Sequence, residues 1–183
     1  MQADLQQRVV DVSAVLEWLR HREDLGAVML MGWGMSAAAC VEAASEWVTK
    51  TGNFSPSIIG ACLLGTQEYG TQNAGSLGGA GIEVHVVHGS ADERVPPQAG
   101  LRVWRRCADP RKMSPMLNSG HECEEAMGIV ADWVQGMVPR ADLIVRRRAW
   151  EAEKQKLEIY VRMHEHDRLM SRIGNLTPRE KAR

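Results

Sequence analysis

Two kinds of hydrophobic pattern alternate along the chain. One is helical: from about Asp4 to Arg22, apolar residues recur at steps of four and three, at Leu5, Val9, Val12, Leu16 and Leu19. That spacing predicts a helix with one apolar face. The other is a short unbroken apolar run, which is typical of a strand covered on both faces. AVMLMGW is such a run, and SIIGACLLGT and IEVHVVHG are the second and third candidates for a buried strand.

Further helices are predicted in SAAACVEAASEWVTK, PQAGLRVWRRC and ECEEAMGIVADWVQGMV. The run KMSPMLN predicts an edge strand, because Pro115 has no N–H to donate to a neighbouring strand. The glycine-rich segment QEYGTQNAGSLGGAG predicts a loop. Strands that alternate with helices indicate an α/β fold with a mostly parallel sheet and flanking helices.

Beyond Pro139 the pattern changes. Residues 140–174 predict a single long charged helix, and residues 175–183 predict a polar tail, so that residues 1–139 form the main domain. A thin apolar seam follows the helix at four-three spacing, at Ile159, Met163, His166, Met170 and Ile173. This seam is too narrow for a core helix and predicts a docking surface. Trp150 is its expected anchor, because interface cores favour tryptophan.

Composition narrows the classes of function. The hydrophobic share of 44%, the charged share of 25% and the net charge of −1 are typical of globular proteins. From Arg140 onward the net charge is +5, which leaves −6 for the rest. Acidic residues interspersed in this basic helix favour docking to protein over nucleic acid, unless the chain belongs to a ribonucleoprotein. No apolar run approaches the ~20 residues that a membrane span needs.

Neither a cofactor nor a metal is predicted. His164 and His166 are two residues apart and therefore on different faces of a helix, unlike a zinc-binding pair. The four scattered cysteines predict free thiols in a reducing intracellular compartment. Both the cytoplasm and an organelle matrix, such as the mitochondrial matrix, fit this prediction.

Three motifs carry the candidate chemistry: GWGMSA after the first strand, HGSADERVPP after the third, and NSGHE near the last helix. In this order and spacing the chain resembles the α/β-hydrolase superfamily over about residues 5–138. That resemblance implies a catalytic triad on a tight strand-to-helix turn. It implies Asp92 as the acid, His121 as the base and the Met35 N–H as an oxyanion donor.

The resemblance places Gly34 at the position of the nucleophile, and glycine has no side chain that can attack a substrate. Ser36 is the alternative nucleophile. It lies two residues further on, and because each helical residue turns by about 100° its hydroxyl is expected to point elsewhere. We expect Ser36 to cap or pack its helix instead.

The first strands of the family, with the loop that supplies a second oxyanion donor, are not in this sequence. We therefore expect an open sheet edge at 27–33, and exposed edges recruit partners. The sequence predicts a non-catalytic scaffold or accessory subunit of a larger assembly, and that assembly can be an organellar one. The chain is expected to bind other protein subunits through this edge and through the C-terminal helix. One alternative is an ester or thioester hydrolase with a shifted nucleophile or a missing half supplied in trans. A small-molecule binding module is the other alternative.

Overall fold

The structure of the chain is a computed structural model that describes residues 2–22, 25–54 and 56–174. Four parallel strands form one sheet in the order β1-β2-β3-β4. They are β1 (Ala27–Trp33), β2 (Ser57–Leu64), β3 (Glu83–Gly89) and β4 (Arg111–Met116). Five α-helices accompany them: α1 (Gln2–Arg20), α2 (Met35–Thr51), α3 (Ala74–Gly79), α4 (Pro97–Arg106) and α5 (Met127–Gly174). The predicted α/β architecture is confirmed.

The sheet is covered on both faces by apolar side chains. Strand β2 is buried at every position, as its unbroken apolar sequence predicts. One face packs against α1, α2, α3 and α4, through residues such as Leu16, Val41 and Val103. The other face packs against the first turns of α5, through Trp133 and Met137. This three-layer arrangement fixes the carboxyl ends of the strands along one edge of the sheet, where α/β proteins usually hold their sites.

Two predictions about helices are wrong. The segment predicted as a loop contains the short helix α3, although three of its six residues are glycine. Ala74, Leu77 and Gly78 are buried there, so tertiary packing overrides low helix propensity. A second difference concerns Pro139, which lies inside α5 rather than between two helices. A proline removes one backbone hydrogen bond from a helix, and here the helix continues past it.

The chain divides into two compact units, Met1–Ile144 and Val145–Arg183. The domain boundary placed at residue 139 from the sequence stays a prediction. In the second unit the side chains of Trp150, Ile159, Met163 and Met170 are all more than half exposed. The Ile173 side chain and the polar tail at 175–183 lie outside the described residues. Docking through this seam stays a prediction.

Strand β1 lies at one edge of the sheet and pairs only with β2 among the described strands. Beside it, a mainly apolar cleft of about 540 Å³ lies between α1 and β1. Residues that line it include Val12, Val15, Leu19, Val28 and Met31. The predicted open edge is therefore present in the described part of the chain. None of the described helices is long and apolar enough to cross a membrane.

A buried histidine in β3 makes the stability of this fold depend on pH. His85 is fully buried, and its Nε2 lies 2.9 Å from Ser114 Oγ. Its ring meets the edge of the Trp133 ring at a centroid distance of 5.3 Å, and its Nδ1 has no hydrogen-bond partner. Burial, assisted by the nearby charge of Lys112, lowers the pKa of His85 to about 4.

We expect acid to destabilise the fold through His85. Between pH 6.5 and 4 the unfolded chain binds a proton at this residue that the folded chain does not bind, so stability falls as the pH falls. The expected loss between pH 7 and pH 4 is about 3 kcal/mol of unfolding free energy. Urea unfolding at several pH values measures it. His85→Gln should remove most of this slope, and His21→Gln, at an exposed turn, should keep it. An unchanged slope in His85→Gln would contradict the assignment.

Candidate functional site

The turn from β1 into α2 is held in a conformation that suits glycine. Gly34 has φ +54° and ψ −116°, a region that L side chains rarely adopt. Its N–H donates to the Leu64 carbonyl at 2.8 Å, which fixes the turn against β2. A Cβ at Gly32 would collide with the backbone of Ser36 and Ala37. The turn is therefore as tight as the resemblance to a nucleophile-bearing turn implies.

An aspartate and a histidine meet at the carboxyl ends of β3 and β4. His121 Nδ1 lies 2.8 Å from Asp92 Oδ2. The other carboxylate oxygen of Asp92 accepts the backbone N–H groups of Arg94 and Val95 at 2.9 and 2.8 Å. Since an ionised carboxylate can only accept hydrogen bonds, the Nδ1 of His121 carries the proton. His121 Nε2 is then the basic nitrogen of the pair.

The surroundings of Asp92 keep it ionised. Its side chain is fully buried, and burial alone would raise its pKa. The hydrogen bonds from Val95, His121 and Arg94 outweigh that effect and hold the pKa of Asp92 below its ordinary value. A buried carboxylate that accepts several hydrogen bonds can orient an imidazole and stabilise its protonated form.

The basic nitrogen of His121 lies beside Gly34. A Cβ at Gly34 would be 3.3 Å from His121 Nε2 and 3.6 Å from its Cε1. The structure thus brings Gly34, Asp92 and His121 together at the ends of three strands. Gly34 offers the histidine neither a hydroxyl nor a thiol. Whether this trio descends from a working triad stays a prediction.

Ser36 makes a different contact from the one expected. Its Oγ lies 2.8 Å from the Arg8 guanidinium of α1, and no side chain caps the N-terminus of α2. The expectation that Ser36 caps its own helix is therefore wrong, and the packing role expected as its alternative stays a prediction. Its hydrogen bond ties α2 to α1. Met35 is the first residue of α2, where a backbone N–H has no acceptor within the helix and can serve an oxyanion.

No cysteine takes over the role of nucleophile among the described residues. Cys40, Cys62, Cys107 and Cys123 are all free and buried. Burial raises the pKa of Cys40 to about 11 and, together with Cys40, that of Cys62 to about 12. Burial also raises the pKa of Cys123, which is two residues from His121. Protonated buried thiols are poor nucleophiles.

Three contacts around the pair were not predicted from the sequence. His88 Nε2 lies 3.2 Å from Asp92 Oδ2 and 3.0 Å from the Val95 carbonyl. Trp33 Nε1 donates to the His121 carbonyl at 2.8 Å. A Cβ at Gly65 would lie 3.2 Å from the His121 ring. The contacts of Trp33 and Gly65 with His121 join the ends of different strands, so no sequence spacing marks them, whereas His88 lies in β3 only four residues before Asp92. The described residues contain no group of three or more potential ligands that could hold a metal.

No family model and no curated protein matches the chain. Solved structures do match it. It is similar to the esterase domain of a Rhodothermus marinus protein, with a TM-score of 0.54, 11% identity and coverage of 67% of this chain and 66% of that one. It is similar to Zea mays acyl-protein thioesterase 2, with a TM-score of 0.54, 20% identity and coverage of 73% and 65%.

A third similar structure is an α/β hydrolase enzyme from a sediment metagenome of the Mar Chica lagoon, Morocco, with a TM-score of 0.53, 16% identity and coverage of 70% of each chain. Likeness at these identities establishes the fold. The chain has an α/β-hydrolase-like fold, and it spans only about two thirds of the length of the first two structures.

Proposed function

We propose that this chain is a non-catalytic scaffold or accessory subunit built on an α/β-hydrolase-like fold. The single observation that carries the proposal is Gly34, which occupies the tight turn beside His121 and has no side chain. Covalent acyl transfer needs a nucleophile at that point, within reach of the base. Ser36 is hydrogen-bonded to Arg8, and the cysteines are buried and protonated.

The open edge of β1 supports the part of the proposal that concerns assembly. Unpaired N–H and C=O groups on an edge strand can pair with a strand of another chain. The mainly apolar cleft beside β1 provides side-chain contacts for such a strand. Met31, in this strand, is 60% exposed. We therefore propose that other protein subunits bind along this edge.

A hydrolase completed in trans is the second candidate, and the bonded Asp92–His121 pair favours it. A partner that adds the first strands of the fold would also add the second oxyanion donor. If the partner also supplied the nucleophile that Gly34 lacks, such a complex would hydrolyse esters or thioesters, and its activity would depend on His121. The isolated chain and the chain with its partners should therefore both be assayed.

The experiment is recovery of the chain from its own source with every co-purifying protein identified and counted. We expect fixed stoichiometry with other proteins, no ester or thioester hydrolysis, and at least about 10-fold lower recovery of those proteins with Met31→Lys, because a charge at the edge opposes strand addition. Val10→Lys, on the exposed side of α1, is the matched control and should change nothing. Recovery of the chain without other proteins would refute the scaffold. Hydrolysis that His121→Ala abolishes would establish the second candidate.

A further inference from the structure

The exposed helix of the second unit carries a longer repeat than the seam identified in the sequence. Steps of four and three continue without interruption through eight exposed positions, which we call the heptad seam: Val145, Ala149, Ala152, Lys156, Ile159, Met163, His166 and Met170. At 1.5 Å per residue this seam is about 38 Å long. A strict seven-residue repeat over more than three heptads is typical of helices that pair in a left-handed coiled coil.

Two ion pairs of the described helix lie away from this seam, and a third joins Lys156, a seam position, to Glu153 at 2.8 Å. Arg147 binds Glu151 at 2.8 Å and Lys154 lies 3.9 Å from Glu158, each pair four residues apart. In the heptad these residues occupy the two outermost positions, on the face opposite the seam. The outer face therefore carries paired charges beside the exposed apolar residues Trp150, Leu157 and Val161, whereas the seven-residue repeat runs along the inner face.

The charges next to the seam indicate which partner fits it. Their positions follow from the sequence register: Arg148 and Arg162 lie on one flank, and Glu153 and Asp167 lie on the other, together with Arg146. The side chains of Arg148 and Asp167 lie outside the described residues. In a parallel pair, Arg148 and Arg162 of one helix each face the acidic position five residues later in the other helix. An antiparallel pair instead brings the flank of Arg148 and Arg162 against its own copy, so that like charges meet.

We propose that the heptad seam pairs two copies of this chain as a parallel, in-register coiled coil. A second copy supplies both the matching apolar seam and the opposite charges on each flank. Lys156 is a single charged residue at the first core position of its heptad, and such a residue favours one register and a low oligomeric state at some cost in stability. The pairing does not depend on the chemistry at Gly34, and it would present the open edge of β1 twice in one assembly.

The mass of the full-length chain in solution tests the pairing. Light scattering should give a dimer, and Met163→Lys should raise its dissociation constant about 100-fold, because it places two unpaired charges in the core of the pair. Val161→Lys is the matched control: it lies on the outer face of the same helix and should leave the constant within about threefold. A monomer up to about 100 µM would refute the proposal, as would a dimer insensitive to Met163→Lys.

A single introduced cysteine tests the orientation. All four native cysteines are buried, so Met170→Cys would supply the only exposed thiol among the described residues. In a parallel in-register pair, the two introduced thiols face each other, and mild oxidation should give a covalent dimer. Arg168→Cys, on the outer face, should not cross-link under the same conditions. A dimer in which Met170→Cys also fails to cross-link would refute the parallel arrangement.

Discussion

The Gly34→Ser variant is expected to react with acylating and phosphonylating probes that leave the parent chain unlabelled. A Cβ at this position would lie 3.3 Å from His121 Nε2. The serine hydroxyl is one bond further out and can reach hydrogen-bond distance of that nitrogen. Asp92 already holds the other nitrogen of the ring at 2.8 Å. The substitution would therefore complete a nucleophile, base and acid in series.

The expected gain is large relative to the parent but small relative to a complete enzyme. The described chain offers the Met35 N–H as one oxyanion donor, and loss of one such donor costs about 10²–10³ in rate. We expect labelling at least about 100-fold faster than that of the parent, since general-base activation of the hydroxyl contributes about 10²–10⁴. A fluorophosphonate probe, followed by mass spectrometry of the labelled peptide, measures both rate and site.

Two further substitutions in the Gly34→Ser background assign the reactivity. His121→Ala should abolish labelling, because it removes the base. Ser36→Ala should leave labelling unchanged, because that hydroxyl is bonded to Arg8. If the Gly34→Ser protein folds but stays unlabelled, the missing side chain is not the only reason why this site lacks reactivity. Labelling of the parent at Ser36 would instead support the hydrolase alternative and refute the proposed function.

The gain should be accompanied by a loss of stability. Serine at φ +54° and ψ −116° is strained by about 1–3 kcal/mol. The 3.3 Å approach to His121 is also closer than most Cβ contacts, so the ring has to shift slightly. Active enzymes with this kind of turn carry such strain for the sake of the nucleophile. Glycine at position 34 relieves it, which is physically consistent with a chain whose function does not need the nucleophile.

The sheet was predictable because its two central strands, β2 and β3, are buried on both faces and their sequences are mostly apolar. Strands β1, β2 and β3 follow the three segments predicted as buried strands, and Pro115 correctly marked β4 as an edge strand. Helix α3 was not predictable from local sequence. Its residues AGSLGG have low helix propensity, and the helix depends on the close approach of Gly78 to the backbone of Ala108 and Asp109.

The site was predictable to the extent that its residues sit in motifs of recognisable order. Asp92 and His121 each follow a strand, and parallel strands bring their carboxyl ends together. Contacts from elsewhere were not predictable. Arg8 reaches Ser36 across 28 residues, and Trp33 reaches the His121 carbonyl across 88 residues. Such hydrogen bonds depend on how helices and loops pack, and no local pattern encodes them.

Asp92→Ala is expected to cost about 3–5 kcal/mol of unfolding free energy at pH 7. The carboxylate accepts the N–H groups of Arg94 and Val95 and bonds His121, all at a fully buried position. Alanine would leave these donors without a partner where water cannot replace it. Urea unfolding measures the loss, and the size of the effect reflects how many loop ends this one side chain joins.

Two comparisons separate the structural role of Asp92 from a catalytic one. His121→Ala should cost less, about 1–2 kcal/mol, because Asp92 keeps both of its backbone donors. The cost of Asp92→Ala should also shrink in acid. Because the pKa of Asp92 is lowered in the folded state, its contribution is complete above the ordinary carboxyl pKa and is lost as the pH falls through the folded value. If Asp92→Ala had the same unfolding free energy as the parent chain, the Asp92–His121 pair would not hold the site together. Large costs would instead explain why the pair persists beside Gly34: it stabilises the loops whether or not they perform chemistry.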